Sequence, residues 1–287
     1  MNTIQQYLNS PDVKGLAEST RSLYTTALNY LEEFCQINGL IDLKNFQEKF
    51  YQFSVWLEKK HLSGKSVQQY LNCAKIFLKW AGHPVEFTYK ISSEEKKNNK
   101  LKQARRWLNG REVELCLYYT FPNYNFANAL QYRIIVRLLK ETGVRVQELA
   151  NIKAKDIDLE KGMAWITKSK TMPRPVFFSP QSKEMFEKLK DLSDDWQGKI
   201  FPSADRIKQV VNEMFEDLKL KDGKDGRGCH CFRHYTASYL YYVGNMNEQD
   251  IGTLLGDDAQ TIRECYLHPE SFPEELKKRI SKAMRWE

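Results

Sequence analysis

The chain has 287 residues, 44 of them Lys or Arg and 37 Asp or Glu, for a formal charge of +7 at pH 7. With 41% hydrophobic and 28% charged residues it can build a real core, which excludes a disordered chain, and the length favours two domains. No apolar run approaches the roughly 20 residues of a membrane span, and the start MNTIQQYLNSPDVKG lacks a basic segment followed by an apolar one, so a cytoplasmic protein is expected.

The first stretch reads as helix. After a short helix near Ile4–Leu8, the residues Leu23, Ala27, Leu31 and Phe34 recur at helical spacing up to Gly39. Phe46, Phe50, Phe53, Val55, Trp56 and Leu57 form a second apolar face. Val67, Tyr70, Leu71, Ala74, Phe77 and Leu78 form a third, opened by Ser63 or Ser66 and stopped near Gly82. The spacing predicts a four-helix unit ending near residue 85.

Residues 88–106 then turn polar and lose periodicity, with Lys96, Lys97, Lys100, Lys102, Arg105 and Arg106 crowded together. This is a linker, read either as a solvated loop or as a basic strap along a phosphate backbone. Residues 1–95 carry ten basic and ten acidic residues, so the whole positive excess lies beyond them.

From Trp107 a second domain is expected, with helices at 110–120, 127–141, 145–151, 182–191, 204–219, 231–243, 247–255 and about 259–266. Ile157–Leu159, Met163–Thr167 and Arg174–Phe178 read as strands, the last two joined by a turn at Lys168–Pro173. Pro273 opens a final amphipathic helix with Leu276, Ile280, Ala283 and Met284 on one face. The fold class is therefore mainly α, with one small sheet.

Six cysteines scattered through such a chain are expected as reduced thiols. Cys229-His230-Cys231 lacks the usual zinc-ligand spacing and has no second ligand pair, so no metal is expected. Phosphate-binding and dinucleotide-binding glycine loops are missing, as is His-Glu-x-x-His. No cofactor is expected.

A spread set of basic groups and one tyrosine remains. In Thr142-Gly143-Val144-Arg145-Val146-Gln147-Glu148-Leu149, Gly143 permits a left-handed turn that puts Arg145 at a helix start, with Glu148 three residues on to hold it. Lys170 lies at the hairpin tip, where an ammonium can protonate a departing oxygen. His230 and Arg233 in His-Cys-Phe-Arg share one helical face and suit a phosphate with a proton to move. Leu254-Leu255-Gly256-Asp257 is followed nine residues later by Tyr266, and then by Leu267-His268. Read singly, each piece has a plain structural explanation: a surface ion pair, a solvated lysine, a chance spacing, a core tyrosine.

Together, in order and spacing, they resemble the tyrosine recombinases, also called the phage integrase family, and most of all its compact Xer-type and archaeal members. The resemblance covers nearly the whole chain, and its specific part runs from 142 to 268. It implies an N-terminal four-helix core-binding (SAM-like) domain at 1–87, the basic linker at 88–106, and a catalytic domain at 107–287 with a three-stranded antiparallel sheet.

By the resemblance Arg145 and Arg233 clamp the scissile phosphate, Glu148 supports Arg145, and Tyr266 is the nucleophile that forms a 3′-phosphotyrosine. His230 takes the tyrosine proton, and Lys170, with Lys168 as a rival, protonates the 5′-oxygen. The implied partners are double-stranded DNA, held between the two domains, and three further copies in a tetramer. The segment 273–286 would dock on a neighbour, or else pack on its own domain.

Asp257 departs from the pattern, because the family usually has His or Trp there to donate to the phosphate. Asp257 is expected to turn away and cap the helix carrying Tyr266. The alternatives are a protonated carboxyl in the site, or a slow enzyme with His268 or another group as substitute. Two other readings stand beside recombination: a DNA-binding member that no longer cuts, and a type IB topoisomerase-like enzyme.

Overall fold

Aromatic and aliphatic side chains at helical spacing build the first of two units. The computed structural model describes residues 2–40, 43–44, 46–95, 107–169, 171–193, 196–223, 225–268 and 272–284. The units comprise Met1–Lys100 and Leu101–Glu287.

The first contains helices α1 (Asn2–Leu8), α2 (Pro11–Lys14), α3 (Glu18–Ile37), α4 (Phe46–Glu58) and α5 (Gly64–Trp80). The expected helices are present, and α2 is an additional single turn opened by Pro11 at its first position. Ser63, not Ser66, caps α5, its side chain accepting from the Ser66 amide at 3.2 Å. Leu28, Leu31 and Phe34 of α3 close on Phe50, Phe53 and Leu57 of α4 and on Leu71 and Phe77 of α5, all 2% exposed or less. Phenylalanine and leucine share this core equally, and each ring removes a large apolar area from water, which a small unit needs.

The segment after α5, including the described part of the expected linker at 88–95, is more structured than its composition suggests. Val85 is buried in the first core, with Phe87 and Tyr89 packed against it. Tyr89 donates to Glu58, and the Gly64 amide donates to Glu95 Oε1 at 2.5 Å. Aromatic residues spaced two apart along an extended segment therefore anchor it. The basic residues Lys96, Lys97, Lys100, Lys102, Arg105 and Arg106 lie outside the described residues.

The second unit contains α6 (Gly110–Tyr118), α7 (Phe126–Thr142), α8 (Val146–Leu149), strands β1 (Ile157–Asp158), β2 (Met163–Ile166) and β3 (Arg174–Phe177), then α9 (Pro180–Asp191), α10 (Ala204–Asp217), α11 (His230–Tyr242), α12 (Glu248–Leu255), α13 (Ala259–Thr261) and α14 (Pro273–Met284). Among the described residues the strands form one antiparallel sheet in the order β1-β2-β3, with Ile166 opposite Arg174 and Ala164 opposite Val176. The core gathers around α7, whose Ile134, Ile135, Val136, Leu138 and Leu139 are all buried. A smaller cluster of Ala237, Ile251, Leu255, Ile262 and Tyr266 joins α11 to α12 and to the turn beyond it.

The helix expected at 259–266 is broken in kind. After one α turn, Ile262–Tyr266 widens into a π-helical turn, a local irregularity often found at functional sites. No helix of the described residues is long and apolar enough to cross a membrane.

Candidate active site

Two chain reversals and one helix start bring distant residues together. Gly143 ends α7 at φ +60°, and a β-carbon there would stand 2.5 Å from Leu255 Cδ2. The left-handed conformation favours glycine, and a β-carbon would also push the Leu255 side chain aside. The turn delivers Arg145 to the N-terminus of α8. Gly256, at φ +71°, ends α12 and delivers Asp257. The start of α11 supplies His230, Arg233 and His234.

Arg145 and Arg233, 88 positions apart in sequence, meet on the carboxylate of Asp257. Arg145 Nη2 donates to Asp257 Oδ1, and Arg233 Nη2 donates to Oδ2 at 2.5 Å. Arg233 is 1% exposed and also donates to Gly143 O at 2.7 Å and Leu255 O at 2.9 Å. Its buried Nε has no hydrogen-bond partner among the described residues. A guanidinium costs several kcal/mol to bury unless it is paired. Carbonyls at the ends of α7 and α12, together with Asp257, offset that cost here.

The expected capping role of Asp257 is not what the structure shows. Asp258 caps α13, accepting from the Thr261 amide at 2.7 Å and from the Thr261 hydroxyl at 2.8 Å. Asp257 instead faces the two arginines. The left-handed turn at Gly256 moves the capping position one residue on, and two guanidinium groups attract a carboxylate more strongly than the partial charge of a helix end.

Glu148 is 4% exposed and supports Arg145 twice, accepting from its amide at 3.0 Å and from Nη1 at 3.3 Å. It also takes a bidentate pair from Arg174, at 3.1 and 2.8 Å, and a hydrogen bond from Ser169 Oγ at 2.8 Å. Burial pushes its pKa up, but the Arg174 guanidinium, the Arg145 amide and Ser169 outweigh burial and hold it at about 2. The carboxylate is therefore fixed as an anion.

Tyr266 is 6% exposed, with the Arg233 guanidinium 5.1 Å from its ring centre. Its hydroxyl stands 3.5 Å from His230 Nε2. Burial raises the Tyr266 pKa above its ordinary value, against the lowering effect of Arg233. The cationic pocket expected to favour a phenolate is thus opposed by burial and by Asp257, and the phenol holds its proton. His230 reaches the surface on one side and packs against the Tyr266 ring on the other. Desolvation and the charges of Arg233 and Arg145 push its pKa down to about 4, leaving a neutral imidazole ready to accept a proton at pH 7.

Three of the five histidines gather here. His234 packs its ring 4.8 Å from that of Tyr266 and shares a 2.7 Å hydrogen bond through Nδ1 with His268 Nε2. His268, considered as a substitute donor, stacks on Trp107 at 3.6 Å between ring centres. The Tyr266 carbonyl accepts from Ser238 Oγ at 2.7 Å, which pins the backbone of Tyr266 to α11.

Sequence reasoning missed His234 and Arg174. His234 stands four residues after His230, on the same helical face. Arg174 occupies a core-facing strand position on the same face as buried Val176, where an arginine needs a buried partner. Lys170 lies outside the described residues, and Lys168 is exposed.

At the C-terminus, Arg279 of α14 packs over Tyr241 and Tyr242 of its own chain and donates to Tyr241 O and Asn245 Oδ1 at 2.7 Å each.

The model of the phage integrase family matches residues 106–271. The tyrosine recombinase XerA of Saccharolobus solfataricus is 27% identical over 278 residues, covering 91% of this chain and 86% of that protein. The tyrosine recombinase XerC of Lactobacillus delbrueckii subsp. bulgaricus is 30% identical over 152 residues, about half of each chain. In fold, the chain is similar to the XerH site-specific recombinase bound to its difH substrate, with a TM-score of 0.68 and 16% identity over 98% of this chain and 83% of that one. It is also similar to the integrase of the transposon Tn1549 in complex with transposon end DNA, with a TM-score of 0.71 and 14% identity over 96% and 98% of the two chains.

Proposed function

The chain belongs to the phage integrase family, and from that membership we infer a site-specific DNA recombinase that cuts and rejoins duplex DNA through a covalent tyrosine intermediate. The observation that carries this reading is the convergence of Arg145 and Arg233 on one small anion, with the Tyr266 ring against the second guanidinium. Two guanidinium groups around a carboxylate present the same charge and donor pattern that they would present to the non-bridging oxygens of a phosphodiester.

In the cleavage step the phosphate takes the place of Asp257 between the arginines. The Tyr266 hydroxyl attacks phosphorus, its proton passes to neutral His230, and a phosphotyrosine bond forms as the bond to the 5′-oxygen breaks. Lys170, or Lys168, returns a proton to that oxygen. Arg145 and Arg233 stabilise the charge that grows on the phosphoryl oxygens, the larger part of such catalysis. The phosphotyrosine bond conserves the phosphodiester energy, so a 5′-hydroxyl from a second duplex reverses the step and exchanges strands. No cofactor is invoked.

In this reading residues 1–87 are a core-binding domain, the basic residues 96–106 lie along the DNA backbone, and 107–287 are the catalytic domain. Four protomers act on two duplexes. Segment 273–286 joins neighbours by releasing the contacts that Arg279 now makes within its own chain.

The test is a trapping assay on lightly nicked genomic fragments of the source organism, in which the cut strand diffuses away and the intermediate accumulates. Covalent protein–DNA adducts mapping to one site are expected. DNA binding without any adduct would instead identify a member that binds and does not cut, a possibility raised by Asp257 in the clamp. Supercoil relaxation by a monomer with no sequence preference would identify topoisomerase-like chemistry.

A further inference from the structure

We propose that Arg174 is a positioning residue for strand cleavage, neutralising Glu148 so that the Arg145 guanidinium stays available to the phosphate. The proposal rests on the recombinase reading above.

Arg174 enters the site from β3, remote in sequence from both Arg145 and Asp257, and is 6% exposed. Nη1 and Nη2 donate to the two oxygens of Glu148 at 3.1 and 2.8 Å, while Nε donates to Leu254 O at 3.0 Å. The guanidinium also lies beneath Gly256, where a β-carbon would stand 2.7 Å from Nη1. One planar group thus binds the carboxylate that holds Arg145 and the turn that delivers Asp257.

Charge gives this contact its consequence. Among the described residues of the site, the guanidinium groups of Arg145, Arg174 and Arg233 face the carboxylates of Glu148 and Asp257, leaving one net positive charge. Without Arg174 the cluster is neutral, and Glu148, still buried, has only Arg145 to pair with. Arg145 would then be drawn toward Glu148 and away from the phosphate. A lysine restores the charge but cannot make the fork and the Leu254 contact together.

Arg174 touches neither DNA nor the reacting atoms in this scheme, so its removal acts on rate and not on affinity. Single-turnover adduct formation on the trapped site is compared with DNA affinity for wild type, Arg174→Gln and Arg174→Lys. Expected are losses in rate constant of about 100-fold for Gln and about 10-fold for Lys, with affinities within about threefold of wild type. A rate constant within threefold of wild type for Gln, an affinity that falls in step with the rate, or Lys no better than Gln would each overturn the proposal. Should Arg174→Gln show no thermal unfolding transition, Arg174→Lys decides alone by the same split between rate and affinity. If wild type forms no adduct, the recombinase reading fails and this role with it. If wild type reacts and the variants react equally, only the role of Arg174 falls.

Discussion

Arg233 and Asp257 form a 2.5 Å ion pair in which the arginine is 1% exposed and the carboxylate's other oxygen is bound by Arg145. The charges of the two guanidinium groups therefore already face an anion. A buried guanidinium pair with no anion would repel itself and carry an uncompensated desolvation cost. Asp257 offsets that cost, and in the proposed reaction it yields its place to the phosphate. Replacing it by the family's usual donor tests the exchange. Asp257→His is expected to cleave at a rate equal to wild type or up to about tenfold faster, because the competing anion is gone and a donor is gained. A fall of more than tenfold in single-turnover rate, with DNA affinity intact, would show that the carboxylate itself takes part in the reaction.

In the proposed reaction Tyr266 is the group on which covalent chemistry depends. Its hydroxyl contributes little to packing beyond the 3.5 Å approach to His230, whereas its ring fills the small cluster with Ile251, Leu255 and Ile262. Tyr266→Phe keeps the ring and loses the nucleophile. Adduct formation is expected to vanish while DNA affinity changes by less than about threefold and the melting temperature stays within ~2 °C. Adducts that persist in this variant would assign the nucleophile elsewhere.

Local chemistry explains why part of this was legible in the sequence. The turn at Gly143, the Arg145–Glu148 spacing and the shared face of His230 and Arg233 are fixed by positions three or four apart, which helical geometry converts directly into contacts. The hairpin and its three strands followed from alternation and turn residues. What stayed hidden depends on long-range closure. Nothing within a few residues of Asp257 says that two arginines, one 112 positions upstream and the other 24, will claim it in preference to the helix end. Arg174 reads as an ordinary strand residue until β3 is seen beneath Gly256. The π turn at Ile262–Tyr266 likewise follows from packing against α11 and α12, not from its own sequence.

In the proposed reaction the lowered pKa of His230 sets a pH window. Held at about 4 by desolvation and the neighbouring arginines, the imidazole is neutral down to about pH 5 and able to accept the Tyr266 proton. An ordinary histidine would already be half protonated near pH ~6.5. The acid limb of the cleavage rate at low DNA concentration should therefore fall below pH 5 in wild type. His230→Gln should lose roughly 100-fold in rate and no longer show that limb. A wild-type limb centred near pH 6.5 would contradict the assignment.

The pair His234–His268 links acidity to stability. Burial lowers both, His234 to about 3 and His268 to about 4, so both stay unprotonated in the fold across the range in which the unfolded chain takes up protons. The unfolded state then binds more protons than the native one between about pH 4 and the ordinary histidine value near ~6.5. Stability must therefore be full above ~6.5 and decline as pH falls through that window, by up to about 1.4 kcal/mol per pH unit for each proton. His268→Phe removes one of the two sites and keeps an aromatic ring to stack on Trp107, now at 3.6 Å from the imidazole. Chemical denaturation at pH 7, 6 and 5 should show a shallower decline in the variant than in wild type. Equal slopes would mean that His268 titrates normally in the folded protein, despite its 2.7 Å hydrogen bond with His234.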